Sequence, residues 1–388
     1  MGSAIPRGGL AEIVRDALAR TGVPGAAAGL LVDREIELAA AGEVALGSGE
    51  AVGVETPFRI ASVTKWFTAS LATLCLDPDA PLAGSSARRL LSHTADWRPE
   101  SSEPLPEVAR GLWSYSNAGY RTVGAACAEA CGVEYSSAVG ARLLAPLGMA
   151  ATGFEQPARR ARGHVQEGES GHRVVPDDVY REERRPAGGL WSTVGDLLRF
   201  AAHQLGEPGP LAMEHREALR EPRARALGAS YALGCWTRDL SGGRACLDHE
   251  GSVGGFQSLL MLLPDDGAAL AVLTNSWRGS GLVRRVVQDL GLTPGETVAA
   301  AGGEPEEGRF ALDDAEATVT RSGGGWRVAE AELDPVAQVR IERPPYPVER
   351  LGGGAYGIGG GLLMSHRVDF PRPGVARVGW VALPRSGA

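Results

Sequence analysis

Strand-like segments stand at both ends of residues 1–292 of this chain, with helical segments between them. Near the start, AAAGLLV and EIELAAAGEVAL are joined by the turn DRE and predict a strand hairpin. From Tyr231 to Thr274, the runs YALGCWTRDL, RACLDHEG, FQSLLMLLP and GAALAVLTN are separated by turns and predict an antiparallel meander. This order predicts an α/β sandwich: one antiparallel sheet assembled from both ends of the domain, flanked by helices, with a helical subdomain in the middle.

Apolar periodicity and capping residues locate the main helices. Leu10–Thr21 carries apolar residues at helical spacing, and a second helix begins at Ser62 and runs to about Leu74. The segment STVGDLLRFAAHQL predicts an amphipathic helix that is capped by Ser192 or Thr193.

The last part of the chain has a different pattern. TPGETVAAAGGEPEEG lacks apolar periodicity and is rich in Gly, Ala, Pro and Glu, which is typical of a linker. Beyond it, ALDDAEATVTRSGGGWRVAEAEL and ARVGWVAL alternate as strands do. We therefore expect a main domain over residues 1–292, a linker over 293–308 and a small all-β domain over 309–388.

Charge, cysteine content and apolar runs exclude several classes of protein. The net charge of −8 argues against a nucleic-acid binder or a polybasic membrane-surface protein. There is no run of 18 apolar residues, and the N-terminus lacks the pattern of a signal peptide, so we expect no membrane partner and a cytoplasmic location. Five sparse cysteines have no metal-ligand spacing, and neither a metal nor a cofactor is expected.

Lys65 is the single lysine of the chain, while the other 38 basic residues are arginines. It follows Ser62 by three residues, and residues i and i+3 share one face of a helix. A serine needs a base within hydrogen-bond reach to act as a nucleophile, and a neutral lysine can serve where arginine cannot. The apolar neighbours Trp66 and Phe67 favour the burial that keeps a lysine neutral. The pair predicts a serine nucleophile with a lysine base.

Two further segments carry residues suited to acyl-transfer chemistry. WSYSNAGY places Tyr115 and Asn117 on a loop before a helix, where a phenol and an amide can face a bound substrate. DHEGSVGGFQS places His249 at a strand with Gly251 two residues on, and glycine there permits close approach to the strand. Taken singly, YSN is equally compatible with a helix cap, and His249 with a buried strand histidine.

The three elements, in this order, resemble the serine β-lactamase and penicillin-binding-protein superfamily, in the branch of class C β-lactamases, D,D-peptidases and related esterases. The phrases TPFRIASVTK, LLSHTAD, LAPLGMAATGF and PAGGLWSTVGDLLRF add to this resemblance. It implies a β-lactamase/transpeptidase-like fold, and the C-terminal segment resembles the lipocalin-like appendage of some members.

The resemblance also implies a role for each site residue. Ser62 is the acylated nucleophile, Lys65 its base, and Tyr115 relays protons to the leaving group and from the incoming nucleophile. Asn117 holds the carbonyl side of the substrate, and His249 keeps the pKa of the Tyr115 phenol low. The backbone N–H groups of Ser62 and Ser252 form the oxyanion hole, beside Gly251 in the substrate site.

Two departures from the family pattern concern the substrate. The segment between Ser62 and Tyr115 is short, which predicts a more open site. Glu250 stands where relatives have threonine or serine to bind a substrate carboxylate, and a carboxylate there would repel a like charge if it faced the pocket. The sequence thus suggests a substrate that is neutral at that end or an amine acceptor, with a solvent-facing Glu250 as the alternative.

The expected function is an intracellular serine acyl-transfer enzyme. A small-molecule or peptide ester, thioester or amide would acylate Ser62, and an amine or water would take the acyl group. Amide formation or peptide cyclisation in small-molecule biosynthesis is the first expectation, with esterase or amidase activity as the hydrolytic form. A β-lactamase or D-alanyl-D-alanine carboxypeptidase is one alternative, and a catalytically inactive binding scaffold is another. The sequence does not specify an oligomeric state.

Overall fold

An eight-stranded antiparallel sheet lies at the centre of the larger part of the chain, in a computed structural model that describes residues 5–6, 8–167, 171–176, 180–293, 295, 303–334, 339–352, 355–357, 363, 367–378 and 380–386. In chain order its strands are β1 Gly25–Val32, β2 Glu35–Gly42, β3 Ala224–Ala226, β4 Ala229–Tyr231, β5 Trp236–Leu240, β6 Arg244–Val253, β7 Phe256–Leu263 and β8 Ala268–Thr274. Their order across the sheet is β2-β1-β8-β7-β6-β5-β4-β3. Because β1 pairs with β8, the sheet joins both ends of the domain, which confirms the predicted fold class.

Helices cover both faces of this sheet. They are α1 Leu10–Thr21, α2 Thr64–Cys75, α3 Ala87–Leu91, α4 Asn117–Cys131, α5 Tyr135–Val139, α6 Arg185–Gly188, α7 Val194–Leu205, α8 Met213–Arg220 and α9 Gly279–Asp289. One face packs against α1 and α9, in a core that includes Leu10, Val14 and Val286. The other face packs against α2 and α7, in a core that includes Trp66 and Phe200.

Short elements connect the helices and place the segment that contains Ser62. Two-residue strands pair Phe58–Arg59 with Trp191–Ser192 and Pro81–Leu82 with Ser85–Ser86, and a longer pair joins His164–Glu167 to Gly171–Val174. The 3₁₀ helices are Ala61–Val63, Glu107–Ala109, Glu182–Arg184 and Pro264–Asp266, and a π-helical turn covers Gly140–Leu144. Helix α2 is buried from Thr64 to Ala72, and a helix that is buried all round lies in a protein core.

The C-terminal part forms a second antiparallel sheet that nearly closes into a barrel. Its strands are β9 Gly308–Leu312, β10 Ala315–Ser322, β11 Gly325–Asp334, β12 Val339–Gly352, β13 Ala355–Gly357, β14 Arg367–Arg372, β15 Val375–Val378 and β16 Val381–Pro384. They pair in sequence order, and the bridge between Phe310 and Arg385 brings the first and last edges together. The interior is apolar and includes Phe310, Val328 and Phe370.

The division into residues 1–292, 293–308 and 309–388 stays a prediction. Residues 294 and 296–302 of the proposed linker lie outside the described residues. Among the residues that the structure describes, no helix combines the length and the apolar character needed to cross a membrane.

Candidate active site

Ser62 lies in the middle of the 3₁₀ turn that leads into α2, and its side chain is half-buried. Ala61, directly before it, has a φ of 46°, which is a strained backbone conformation for a residue with a Cβ. The hydroxyl of Ser258 on β7 donates to the Ile60 carbonyl at 2.7 Å and ties this turn to the sheet. The turn therefore presents Ser62 at the start of a helix, where N–H groups have no acceptor within the helix.

The Lys65 amino group reaches Ser62 from the first turn of α2. Its Nζ lies 3.2 Å from Ser62 Oγ, and it donates to the carbonyl of Ala187 in α6. The side chain is fully buried. Burial lowers the pKa of Lys65 well below its usual value of 10.5, and the Arg121 charge acts in the same direction. The neutral amine that a general base requires is thus favoured.

One carboxylate opposes this effect. The charge of Glu100 raises the pKa of Lys65, but burial is the larger influence. Glu100 accepts hydrogen bonds from Asn117 Nδ2 and from Arg121, both at 2.6 Å. Asn117 begins α4, so this carboxylate fixes the amide that was predicted to hold the substrate. Nδ2 carries a second proton, which leaves one donor for a substrate carbonyl.

Tyr115 lies over the same centre as a buried phenol. Lys65 Nζ is 4.7 Å from the centroid of its ring. Burial raises the pKa of Tyr115 well above 10, and the neighbouring Ser62 hydroxyl acts in the opposite direction. The two hydroxyl groups are not in hydrogen-bond geometry. Among the described residues the Tyr115 hydroxyl has no hydrogen-bond partner. It therefore stays protonated near neutral pH and is able to give one proton while it takes another.

His249 is brought close to Tyr115, with 6.3 Å between the ring centroids, but it is neutral. Burial lowers the pKa of His249 to about 3. Its Nδ1 donates to the Glu250 carbonyl at 2.5 Å, so Nε2 accepts from the Tyr231 hydroxyl at 3.2 Å. The expectation that His249 keeps the pKa of Tyr115 low is not met, because a neutral imidazole supplies no positive charge and burial shifts the phenol the other way.

Strand β6 approaches the Ser62 turn at Gly251. A Cβ at this position would lie 2.3 Å from the Ile60 carbonyl oxygen and 3.0 Å from the Ala61 Cβ, so only glycine fits. The next residue is Ser252, whose hydroxyl is exposed and accepts from Gln257 at 2.7 Å. The close approach brings the backbone beside Ser252 to the turn that carries Ser62, as an oxyanion hole of two N–H groups requires.

The structure does not bring Glu250 into the site. Its neighbours His249 and Gly251 face the Ser62 side, and side chains alternate along a strand. Glu250 is buried on the opposite face of β6, which also carries the Asp248 carboxylate that accepts from Arg238 Nε at 2.7 Å. Glu250 therefore faces neither the pocket nor solvent.

Several residues around the site were not identified from the sequence. His93 is buried and accepts from the backbone N–H of Ser116 at 3.0 Å, and its ring packs against Tyr115 with 4.2 Å between ring centroids and an interplanar angle of 39°. The position of His93 within LLSHTAD, a phrase that resembles the family pattern, could have identified it as a site residue. Glu100 and Tyr231 reach the site through tertiary contacts, for which the sequence offers no pattern.

Trp380 of the C-terminal sheet also lies at this centre, 5.1 Å from Tyr115 and 5.4 Å from His249 between ring centroids. In the part of the chain that the structure describes, no group of three or more His, Cys, Asp or Glu side chains could hold a metal ion.

Comparison with known proteins agrees with the geometry. The family model named Beta-lactamase matches residues 10–292, which is most of the chain. The chain belongs to the beta-lactamase family. This is a family of serine hydrolases and acyltransferases, and the match confirms the superfamily that the motifs indicated.

Three relatives show how far the similarity extends. Penicillin-binding protein 4 of Amycolatopsis lactamdurans is 28% identical over 311 residues, which cover 65% of this chain and 81% of the relative. The crystal structure of SurE superposes with a TM-score of 0.72 at 24% identity, over 97% of this chain and 98% of that one. D-amino acid amidase from Ochrobactrum anthropi SV3, complexed with L-phenylalanine amide, has a TM-score of 0.61 at 24% identity, over 73% and 97% of the two chains.

Proposed function

We propose that this protein is a serine acyl-transfer enzyme in which an ester, thioester or amide acylates Ser62, and an amine or water then takes the acyl group. The observation that carries the proposal is the buried Lys65, with a lowered pKa and its Nζ 3.2 Å from Ser62 Oγ. A neutral amine at that distance is a base for a serine hydroxyl.

In the acylation step, the Nζ lone pair of Lys65 takes the proton of Ser62 Oγ as that oxygen bonds to the carbonyl carbon of the donor. Negative charge develops on the carbonyl oxygen, where the N–H groups of Ser62 and Ser252 stabilise it. The bond to the leaving group then breaks, and the leaving group receives the proton from Lys65, through the Tyr115 hydroxyl when it is out of direct reach. The products are a Ser62 ester and the free leaving group.

In the second step, an amine or a water molecule attacks the Ser62 ester. Its proton passes to Lys65 through the Tyr115 hydroxyl, which gives its own proton in the same event and so stays neutral. The bond to Ser62 Oγ breaks and this oxygen regains a proton from Lys65. The high pKa of Tyr115 favours this relay over a free phenolate base.

The fold neighbours suggest probes for the donor and acceptor. One SurE structure contains D-Leu, and another neighbour is a D-amino acid amidase. We therefore propose an amino-acyl or peptidyl donor and a D-amino acid or peptide amine as acceptor, with amide formation or cyclisation as the productive outcome.

The test is intact-mass analysis after exposure to p-nitrophenyl esters of D- and L-amino acids, with and without D-leucine amide. We expect a mass increase equal to one acyl group, located at Ser62, and faster loss of that label when the amine is present. Ser70→Ala serves as the matched control, since Ser70 is a buried serine of the same helix whose hydroxyl donates to the Trp66 carbonyl.

Ser62→Ala should abolish the label, while Ser70→Ala should retain it. A label that survives in Ser62→Ala contradicts the assigned nucleophile. No label in the wild-type protein with any activated ester favours an inactive binding scaffold instead.

A second candidate is a β-lactamase or D-alanyl-D-alanine carboxypeptidase, favoured by the similarity to penicillin-binding protein 4. Rapid turnover of a chromogenic cephalosporin, or release of D-alanine from a D-alanyl-D-alanine peptide, would support it over amine acylation. Absence of both cephalosporin turnover and D-alanine release, together with amine-dependent loss of the Ser62 label, would favour the first proposal.

A further inference from the structure

Hydrogen bonds from the C-terminal sheet hold three consecutive residues of the loop that carries Tyr115. The three hydrogen bonds run from Arg377 to the Trp113 carbonyl at 3.5 Å, from the Ala382 N–H to Ser114 Oγ at 3.2 Å, and from the Tyr115 N–H to the Trp380 carbonyl at 3.0 Å. Each bond joins residues more than 260 positions apart in the chain. The position of the Tyr115 backbone thus depends on strands β15 and β16 and the turn between them.

The side chain of Trp380 also contacts two residues of the active site. Trp380 is 8% exposed, and its indole packs on Tyr115 and on His249, in an edge-to-face arrangement with the His249 ring at an interplanar angle of 85°. Trp236 of β5 lies behind it, with 6.2 Å between the ring centroids. The Tyr115 ring is therefore enclosed by His93 on one side and Trp380 on another.

Trp380 keeps this position in an unfavourable backbone conformation. Its φ is 83°, in the region that favours glycine. Strain of this kind persists only where the surrounding contacts stabilise it, and such residues cluster at functional sites. The contacts that stabilise it here are the indole packing on Tyr115 and His249 and the bond to the Tyr115 N–H.

A buried ion pair anchors the same end of the C-terminal sheet. Arg377 donates two bonds to Asp369, both at 2.6 Å, and Asp369 also accepts from the Leu227 N–H at 2.9 Å. Leu227 lies in the two-residue turn between β3 and β4, and β4 carries the Tyr231 that donates to His249. The C-terminal sheet thus contacts both Tyr115 and the strand beside His249.

We propose that Trp380 is a positioning residue for Tyr115, so that the C-terminal sheet completes the proton-relay part of the active site. The inference rests on the proposed function, because it assigns Trp380 an effect on the relay step. Without the indole, the Tyr115 ring gains room to move away from Ser62 and Lys65. A misplacement of about 1 Å costs roughly 100-fold in rate, so loss of the indole should slow transfer of the acyl group from Ser62 to an amine by roughly 10- to 100-fold.

The test compares Trp380→Gly and Trp380→Phe with the wild type. The readout is the rate at which D-leucine amide removes the acyl group from Ser62 after labelling by a p-nitrophenyl ester, because the proton of the amine passes through Tyr115 whereas p-nitrophenolate leaves without a proton. Trp380→Gly relieves the strained φ of 83°, which offsets only part of the stability that loss of a buried indole removes, so the rates are compared at a temperature where every variant is folded. Trp380→Phe retains a ring and should lose less activity. Trp326→Phe is the matched control, since Trp326 lies in the same sheet on β11, and it should keep the wild-type rate.

The decisive comparison repeats Trp380→Gly in a Tyr115→Phe background. If Trp380 acts through the Tyr115 hydroxyl, the second substitution should change the rate less than twofold there. An equal loss in both backgrounds, or no loss in the first, overturns the inference while the proposed function stands. A wild-type protein that no ester acylates contradicts the proposed function and the inference together.

Discussion

At the scale of single residues, burial of Lys65 favours the neutral base that catalysis requires but lowers the free energy of unfolding. Burial favours its neutral form in the folded protein, whereas the unfolded chain binds the proton with the ordinary pKa of 10.5. The unfolded state therefore holds more protons between the lowered pKa and 10.5, and the free energy of unfolding increases with pH across that interval. At neutral pH the residue lowers stability and keeps a base available.

Glu100 should set the acidic limit of activity. Its carboxylate raises the pKa of Lys65, so Glu100→Gln removes that influence and leaves Arg121 to lower the pKa further. We expect the acidic limb of the acylation rate to move to lower pH. The measurement is the pH profile of Ser62 acylation.

Glu103→Gln is the control for this prediction, because Glu103 lies on the same loop, is mostly exposed and pairs with Arg98 at 3.5 Å. Its profile should match the wild type. A shift of the Glu100→Gln limb toward higher pH would contradict the assignment of Glu100 as the opposing charge.

At the scale of elements, the site depends on how closely strand β6 approaches the turn Ala61–Val63. Gly251→Ala would place a methyl 2.3 Å from the Ile60 carbonyl oxygen, and a backbone oxygen cannot move away alone. The strand and the turn must separate, which parts the N–H groups of Ser62 and Ser252 that we propose as the oxyanion hole. We expect kcat to fall roughly 100-fold and the free energy of unfolding to fall by about 1–3 kcal/mol.

Gly195→Ala in α7 provides the comparison, since its Cβ would meet only the Thr193 hydroxyl, at 4.0 Å. It should keep wild-type kcat and raise stability by about 1 kcal/mol, because alanine is favoured in a helix. Equal activity in the two variants, measured by ester hydrolysis and chemical denaturation, would show that the close approach of β6 has no catalytic importance.

Local sequence patterns were sufficient to predict helices such as α1 and α7 and the contact between Ser62 and Lys65. Helix α1 follows the predicted limits Leu10–Thr21, and α7 begins after Thr193, whose hydroxyl accepts from the Asp196 N–H. Ser62 and Lys65 meet because i and i+3 share a helix face, which needs no tertiary information.

Contacts between distant segments were beyond sequence reasoning. Nothing in ARVGWVAL indicates that Trp380 packs on Tyr115, and nothing near Glu100 indicates a bond to Asn117. The side of the sheet that Glu250 faces follows from the register of β6 against β7 and from the approach to Ile60, neither of which a single strand pattern specifies.

At the scale of the whole molecule, the two sheets are joined through buried charge. Asp369→Ala would leave Arg377, which is 4% exposed in its side chain, buried without its carboxylate. Breaking such a pair costs about 3–5 kcal/mol. We expect a loss of that size in the free energy of unfolding, together with reduced acylation, because Arg377 also contacts the Trp113 carbonyl.

Glu316→Ala is the matched test, because it removes a half-buried carboxylate of the same C-terminal sheet that pairs with two exposed arginines, Arg309 and Arg340. It should cost less than about 1 kcal/mol and leave acylation unchanged. If Asp369→Ala destabilised the protein no more than Glu316→Ala, the buried pair would not join the two sheets.

The central claim is that a neutral Lys65 is the base for Ser62, and the pH dependence of Ser62 acylation tests it most directly. Rapid-mixing measurements with a neutral p-nitrophenyl ester should give a rate that becomes level at a pH well below 10.5 and falls on the acidic side, with Lys65→Arg roughly 100- to 10,000-fold slower throughout. A rate that keeps rising tenfold per pH unit up to the ordinary lysine pKa of 10.5 would contradict the claim.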